Sequence, residues 1–238
     1  MNFAIIAAGE GSRLAAEGVD VPKPLVTVDG IPLIDRLMDI FIRNGASSIS
    51  VIVNSENHHT IAHLKDKNLS VPLHLVVKST PGSMHSLHEL KPFLCDAPFC
   101  LTTVDTVFRE SEFSAYLDAF CNDVNIDGLM AATGFIDDEK PLYLDVDDDL
   151  RIRDFCDESP AGGKYISGGI YCFRSSVWTI LEATMQRGMT RMRDFQRHLI
   201  RYGLTLKAFP FLKIVDIDHA ADIAVAEKFV KFDAEKYD

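Results

Sequence analysis

Two kinds of apolar pattern alternate along the chain: uninterrupted apolar runs and stripes at helical spacing. An uninterrupted run is typical of a strand that is buried on both faces, as in a parallel sheet. Strands are predicted at residues 3–8, 49–53, 73–77, 99–104 and 128–135. Apolar side chains three or four positions apart, as at Leu33, Leu37, Ile40 and Phe41, indicate an amphipathic helix. Helices are predicted at residues 31–44, 57–66, 111–121, 175–184 and 190–202, and in two segments that end near residues 94 and 230.

The order of these elements predicts an α/β fold. Strand 3–8, helix 31–44 and strand 49–53 follow one another, and such a unit forms a right-handed crossover between parallel strands. Two further apolar segments, 142–146 and 150–155, flank a run of three aspartates and predict an antiparallel hairpin. The 238 residues fit one large domain or two small ones. Because no internal repeat or linker interrupts the chain, we expect a single domain over residues 1–238.

Composition excludes several classes of function. Hydrophobic residues make up 47% of the chain and charged residues 25%, as in an ordinary soluble globular protein. The formal net charge of −11 argues against a nucleic-acid or membrane surface, because both partners require a basic footprint. An acidic protein that handles an anionic substrate must therefore concentrate its positive charge locally or use a metal ion.

The cysteines and the N-terminal segment predict a compartment. Five cysteines are scattered along the chain without a Cys-x-x-Cys pair, which favours reduced, mostly buried thiols. The N-terminal segment has no basic region or cleavage site of a signal peptide, and its apolar run is too short to span a bilayer. We therefore expect a cytoplasmic protein.

The turn after the first strand carries the strongest chemical signal. Gly9 and Gly11 permit positive φ angles and close approach of the backbone to a ligand. Amides in such a turn form an anion-binding concavity, and Arg13 adds donors suited to phosphate oxygens. Lys23 stands between two prolines that fix the backbone around it. A dinucleotide-binding fingerprint would need a glycine where Leu14 stands, and the Gly-Lys-Ser/Thr of a P-loop is absent, so the turn predicts another kind of phosphate site.

Two segments together resemble the signature of the nucleotidyltransferase family. Residues 7–14 read Ala-Ala-Gly-Glu-Gly-Ser-Arg-Leu, and residues 22–25 read Pro-Lys-Pro-Leu. The resemblance to the sugar-1-phosphate nucleotidyltransferases implies a Rossmann-like, three-layer αβα fold with a mixed, mostly parallel central sheet. It also implies transfer of a nucleoside monophosphate from a nucleoside triphosphate to a sugar 1-phosphate, which yields an NDP-sugar and pyrophosphate. The first half, to about residue 110, would bind the nucleotide, and the second half, from about residue 111, the acceptor.

The resemblance further assigns the nucleotide-binding residues. Arg13 would neutralise the departing pyrophosphate, and Lys23 would offset charge on the α-phosphoryl oxygens. The other nucleotide-binding positions that it implies are Ala8, Gly9, Gly11, Ser12, Gly82 and Ser83. Gly82 and Ser83 would lie against the base, since a residue without a side chain lets the backbone touch the base edge. A helix N-cap formed by Thr80 or Ser83 is the structural alternative for that stretch.

Two aspartates match the family's Mg²⁺ ligands. Asp105 follows the strand at 99–104, and Asp216 matches the second ligand, with Asp218 as a neighbouring carboxylate. Magnesium is a hard ion that uses one or two carboxylates together with phosphate oxygens. Val104 stands where the family has glycine, which is a departure that would crowd the nucleotide. The structural alternative for Asp105 is a cap on the helix that follows.

The acceptor region matches the family less closely. The implied acceptor-binding residues are Glu158, Lys164 and Gly169, but Ser159 replaces the family's usual lysine. Transfer to a non-sugar acceptor such as phosphocholine or a pterin cofactor therefore stays open. So do a catalytically inactive nucleotide-sensing subunit and a glycosyltransferase that uses Asp145 and Asp147 on a metal. The expected partners are a nucleoside triphosphate and a phosphorylated small molecule, with no nucleic acid or membrane, and the sequence leaves a homo-oligomer open.

Overall fold

The computed structural model describes residues 1–135 and 140–234 of the chain. The strands in these ranges are β1 (Asn2–Ala7), β2 (Thr27–Val28), β3 (Ile31–Pro32), β4 (Ser48–Val53), β5 (Leu73–Val77), β6 (Phe99–Thr103), β7 (Thr106–Val107), β8 (Gly128–Thr133), β9 (Tyr143–Val146), β10 (Ile152–Cys156), β11 (Tyr165–Phe173), β12 (Leu206–Phe211) and β13 (Val215–Asp216). The helices are α1 (Ser12–Ala16), α2 (Leu33–Arg43), α3 (His58–Lys65), α4 (Ser83–Leu94), α5 (Glu110–Asn122), α6 (Val177–Gln186), α7 (Met192–Arg201) and α8 (Ala220–Ala234).

A mixed sheet of nine strands forms the centre of the molecule. Strand β1 lies between β4 and β6 and is parallel to both, and β5 extends the parallel part beyond β4. Strand β11 joins the second half of the chain to the first, because it pairs antiparallel with β6 on one edge and with β8 on the other. Strand β12 adds to β8 in parallel, and β9 and β10 form an antiparallel hairpin. The predicted α/β fold and mixed, mostly parallel sheet are confirmed.

Helices cover both faces of this sheet and produce the predicted three layers. On one face, the side chains of α2 and α5 form a stack of aromatic rings with β1, in which Phe3 lies 4.5 Å from Phe41 and 6.2 Å from Phe113 between ring centroids. On the other face, α4, α6 and α7 bury apolar side chains around Phe99 and Trp178. A third apolar cluster packs α1 and α8 against β2, β7 and β13. This third cluster therefore packs the two helices and the three short strands against one another outside the nine-stranded sheet.

Most predicted elements are present with shifted ends, and β3 and β12 are among the strands that the sequence pattern does not predict. Strand β12 contains Pro210, which weakens its strand signal, and the proline is tolerated because β12 pairs through a full ladder with β8 alone. The short hairpin of β2 and β3 turns at Asp29 and Gly30, whose φ angles of 53° and 76° are those of a type I′ turn. The predicted helix from residue 31 begins only at Leu33, as α2, because this hairpin occupies the positions before it.

The expectation of mostly buried cysteines is wrong, since only Cys100 and Cys172 are buried. All five cysteines are free. Cys100 of β6 and Cys172 of β11 face one another across the ladder and are fully buried, and burial raises the pKa of the Cys100 thiol well above its ordinary range. Cys121 near the end of α5 is exposed.

Over the described ranges, no helix has both the length and the apolar character needed to cross a membrane.

Candidate functional site

A cleft of about 710 Å³ opens at the carboxyl ends of the parallel strands. Its walls come from the loops that follow β1, β4, β5 and β6, together with Lys23 and Asp218. Ligands of open α/β sheets gather at this edge, because the loops after successive parallel strands converge there. The predicted nucleotide-binding positions line this cleft: Ala8, Gly9, Gly11, Ser12, Arg13, Lys23, Gly82 and Ser83.

The loop after β1 is folded against the turn that carries Lys23. Gly11 has a φ angle of 63°, in the left-handed region that favours glycine. A Cβ atom on Gly11 would lie 3.1 Å from the Cβ of Lys23, so a larger residue would push the two segments apart. The backbone amides of the loop and the lysine are thus presented to the same cleft.

Lys23 is the centre of the site. It begins a 3-10 turn, Lys23–Leu25, and its Nζ donates to Asp105 Oδ2 at 2.5 Å and to Asp218 Oδ1 at 2.6 Å. The lysine side chain is only 11% exposed. Burial opposes the charged form, but the two carboxylates outweigh this effect and raise the pKa of Lys23 above its ordinary value of 10.5. The ammonium is therefore charged at every physiological pH.

Asp218 is fixed by further contacts to both ends of the chain. Arg13 donates to its second carboxylate oxygen at 2.8 Å. The backbone amides of Asp218 and His219 donate to Asp222, and Glu17 accepts hydrogen bonds from the Ala220 amide at 2.7 Å and lies 2.6 Å from the ring of His219. Burial alone would raise the pKa of Asp218, but its bond to Lys23 prevails and lowers it below its ordinary value. Asp218 is the main site residue that the sequence reasoning underrated.

Asp105 lies at the corner between β6 and β7, at the predicted end of its strand. Its carboxylate accepts from Lys23 and does not cap the following helix, because α5 begins at Glu110 with Arg109 at the N-cap and no side-chain cap. The preceding Val104 is one of the residues that line the cleft, and the crowding of the nucleotide expected from its size stays a prediction. It is 5% exposed and packs in the core beneath the site.

Asp216 lies beside this centre rather than on Lys23. It is exposed, pairs with Thr106 in the ladder of β13 and β7, and shares a smaller cavity with Arg13 and Asp218. Burial raises the pKa of the Tyr171 hydroxyl to about 12, and the negative charges of Asp216 and Asp105 add to this shift. The charges of both carboxylates therefore act on the same hydroxyl group. Their role as metal ligands stays a prediction.

The oxygen donors fit the way in which Mg²⁺ is bound with a nucleotide. Within residues 1–135 and 140–234, no three His, Cys, Asp or Glu side chains form a complete metal cage. A magnesium ion takes one or two carboxylates from the protein and completes its octahedron with phosphate oxygens and water. Asp105 lines the cleft, Asp216 lines the smaller cavity, and Asp218 belongs to both, so the three carboxylates lie in two cavities that meet at Asp218.

The loop that is expected to contact the base packs against the segment that precedes α7. A Cβ atom on Gly82 would lie 2.5 Å from the carbonyl oxygen of Thr190, which accepts a hydrogen bond from the Met84 amide. The Ser83 hydroxyl accepts from the Met192 amide at 3.0 Å. Neither Thr80 nor Ser83 caps α4, which has Gly82 at its N-cap and no side-chain cap. Gly82 thus lets the segment before α7 lie directly against the cleft.

The predicted acceptor residues lie outside the central cleft. Glu158 and Ser159 line a separate cavity of about 620 Å³ together with arginines of α7, and Lys164 lies in a cavity of about 300 Å³ beside the β9–β10 hairpin. Gly169 has a φ angle of 73°, and a Cβ atom there would lie 2.8 Å from the Thr103 hydroxyl, so its position in the irregular part of β11 requires glycine. Their acceptor-binding role stays a prediction.

The sequence of the chain matches a known protein family. A family model described as Nucleotidyl transferase matches residues 4–230. Bifunctional protein GlmU of Methanococcus maripaludis is 26% identical over 235 residues, which cover 95% of this chain and 53% of that protein. UTP--glucose-1-phosphate uridylyltransferase AglF of Haloferax volcanii is 30% identical over 110 residues, which cover 46% of this chain and 45% of that protein. The chain spans about half the length of the curated relatives it matches.

A solved structure shows the same fold. The inositol-1-phosphate CTP transferase from T. maritima superimposes with a TM-score of 0.81 at 21% sequence identity. The superposition covers 97% of this chain and 95% of that one. At this identity the likeness concerns the arrangement of strands and helices.

Proposed function

Because the chain belongs to the nucleotidyl transferase family, we propose that it transfers a nucleoside monophosphate from a nucleoside triphosphate to a phosphorylated small molecule, with a sugar 1-phosphate as the first candidate acceptor. One observation carries the proposal. A buried lysine, held by two carboxylates, lies in a cleft whose loop presents backbone amides and an arginine. These are the groups that a triphosphate requires.

The reaction needs positioning and charge stabilisation more than proton transfer. An oxygen of the acceptor phosphate attacks the α-phosphorus, the bond from that phosphorus to the bridging oxygen of the β-phosphate breaks, and pyrophosphate leaves with the bonding electrons. The nucleophile is already an anion, so the protein has no proton to remove. Phosphoryl-type transfers of this kind depend on alignment and on cations near the phosphate oxygens.

The cationic residues have distinct roles. Lys23, held in place by Asp105 and Asp218, would stabilise charge that develops on the α-phosphoryl oxygens. Arg13 is 49% exposed and pairs with a carboxylate that is 37% exposed. Such a surface pair contributes only about 0–1 kcal/mol. Arg13 can therefore exchange Asp218 for the β- and γ-phosphates at little cost.

A bound Mg²⁺ would neutralise phosphate oxygens and hold the triphosphate in line for attack. Asp105 and Asp216 would supply its protein ligands. Asp105 also accepts a hydrogen bond from Lys23, so its carboxylate would serve both the lysine and the metal ion.

A non-sugar acceptor is the second candidate, and it has its own supporting observation. Ser159 stands where the family has lysine, and Lys164, the nearest substitute in sequence, lies in a different cavity from Glu158 and Ser159. Lys164 therefore does not replace the family's lysine in that cavity, where the cations beside Glu158 and Ser159 include Arg193 and Arg197. Because the fold is similar to that of an inositol-1-phosphate CTP transferase, a cyclitol phosphate is one of the acceptors to test. Phosphocholine is another.

The test is pyrophosphate release, measured with Mg²⁺ for CTP, UTP, GTP, ATP and dTTP against glucose 1-phosphate, N-acetylglucosamine 1-phosphate, inositol 1-phosphate and phosphocholine. We expect release only with one nucleotide and one acceptor class, and loss of release in EDTA. Asp105→Asn should remove nearly all turnover, and Arg13→Gln should lower the rate by about 10²-fold or more. Asp118→Asn, an exposed carboxylate of α5 that lines neither the cleft nor the two acceptor cavities, serves as the matched control.

Two outcomes would contradict the proposal. Parental Mg²⁺-dependent turnover in Asp105→Asn would remove the metal assignment. Tight nucleotide binding without turnover on any acceptor would replace the enzyme with a nucleotide-sensing protein.

A further inference from the structure

A cavity of about 290 Å³ lies between α2, α8 and the segment that joins β7 to α5. Over residues 1–135 and 140–234, it shares no lining residue with the central cleft. Three arginines line it, two from one helix and one from another segment, namely Arg36 and Arg43 of α2 and Arg109 before α5. The protein has a net charge of −11, so this cavity concentrates positive charge in an otherwise acidic molecule.

Arg36 has an unused hydrogen-bonding capacity inside the protein. Its Nε atom is buried and has no hydrogen-bond partner in the described part of the chain. Burial lowers the pKa of this arginine, the nearby Arg43 adds to the effect, and the charges of Asp29 and Glu110 oppose it only in part. Burying a cationic donor without a partner costs free energy, because the group loses its hydration and gains no bond in return.

Arg43, which lines the same cavity, is paired with a carboxylate. Its Nε and its terminal nitrogen donate to the two carboxylate oxygens of Glu110 at 2.9 and 2.7 Å. Glu110 is thereby engaged by Arg43 and leaves Arg36 without a bidentate anion. The two arginines are about two turns apart on α2, and within the described residues only Arg43 has an anion bound to it.

Apart from the three arginines and the carboxylates Asp39 and Glu110, the lining of the cavity is apolar and aromatic. Phe108 is 3% exposed and Phe229 is 9% exposed, and the guanidinium of Arg109 lies 5.2 Å from the centre of the Phe229 ring. At the rim, Ile31 is 41% exposed. A cavity of this volume is at the lower end of small-molecule sites, which combine apolar walls with a few fixed polar groups.

We propose that this α2–α8 cavity binds a small organic anion whose carboxylate or phosphate group pairs with Arg36 and whose apolar body packs against Phe108 and Phe229. The carboxylate and the phosphate share the bidentate geometry that a guanidinium recognises. The proposal does not depend on nucleotidyl transfer, because none of the residues involved lines the central cleft.

The test uses thermal unfolding with benzoate, phenyl phosphate and inorganic phosphate as probes and benzamide as the neutral control. At a probe concentration of about ten times its dissociation constant, the wild-type Tm should rise by about 3 °C. Benzoate against phenyl phosphate tells which anionic group the site prefers, and inorganic phosphate measures the anion without an apolar body. Benzamide should produce no rise.

Three variants distinguish binding in this cavity from binding elsewhere on the protein. Arg36→Met should abolish the Tm rise and leave the Tm of the probe-free protein unchanged or higher, because it removes an unpaired, half-buried charge. Arg201→Met, an exposed arginine of α7, should keep the rise. Arg13→Gln should also keep the rise in Tm, because Arg13 does not line this cavity. A probe bound in the central cleft would instead lose affinity in that variant, so the result distinguishes the two sites. No rise with any probe in the wild type, a rise that persists in Arg36→Met, or a rise lost in Arg13→Gln would overturn the proposal.

Discussion

Replacing Lys23 with methionine removes a charge but keeps most of the apolar stem, so its effect reports on the two ion pairs. In the native protein the Nζ atom lies 2.5 Å from Asp105 and 2.6 Å from Asp218. Without it, two carboxylates, 21% and 37% exposed, lose their shared cation. Breaking a fully buried pair costs about 3–5 kcal/mol. The partial exposure of both carboxylates reduces our expected loss of unfolding free energy to about 1–3 kcal/mol.

This loss can be measured as a shift in Tm and through its dependence on pH. For a chain of this size, about 1–3 kcal/mol corresponds to a decrease in Tm of about 2–10 °C at neutral pH. Because the pKa of Asp218 is lowered in the folded protein, its contribution to stability is present above its ordinary value of 3.8 and is lost as the pH falls through the folded pKa. The raised pKa of Lys23 places the loss of its contribution above pH 10.5. The difference between wild type and Lys23→Met should therefore be constant from about pH 5 to 9 and decrease below about pH 4.

Lys78→Met is the matched control. Its ammonium donates to Glu89 at 2.7 Å, but it is 54% exposed, so this change should alter the unfolding free energy by less than about 1 kcal/mol. The double variant Lys23→Met with Asp105→Asn should recover part of the lost stability, since it removes one of the uncompensated carboxylates. A Lys23→Met protein that is as stable as the Lys78→Met control, or one whose deficit persists undiminished in strong acid, would refute the reasoning.

Two further predictions concern packing and the thiols. Gly82→Ala should destabilise the protein by about 1–3 kcal/mol, because its Cβ would lie 2.5 Å from the Thr190 carbonyl oxygen; chemical denaturation measures this, and an unchanged midpoint would contradict the close packing. In the folded protein, Cys121 should react with a thiol reagent before the buried pair that faces across β6 and β11, because only an exposed thiolate is accessible; mass spectrometry of the labelled peptides tests the order, and equal labelling of all thiols would disprove it.

The central sheet was predictable because its strands carry uninterrupted apolar runs. The prediction failed at β12, where Pro210 weakens the pattern and only the position at the sheet edge makes the strand acceptable. It also passed over β3, since two residues after a turn show no periodicity. The edge position of β12 depends on a neighbouring strand that is distant in the chain, which a local pattern does not contain.

The site was predictable where residue type determines the chemistry. The glycines, Arg13 and Lys23 were found from a loop that offers donors to an anion. Which of Asp216 and Asp218 binds Lys23 was not predictable, because the two carboxylates are two positions apart and β13 ends at Asp216. Beyond that point the chain turns into α8, so the direction of each side chain follows from the contacts of Asp222 and Glu17 rather than from alternation.

The partners of Lys23 are 82 and 195 positions further along the chain. During synthesis the lysine leaves the ribosome long before its second carboxylate exists, so a nascent chain cannot complete this ion-pair centre until translation has passed residue 218. Fragments that stop before Asp218 should retain the apolar pattern of the nine-stranded sheet while lacking the second carboxylate that binds Lys23.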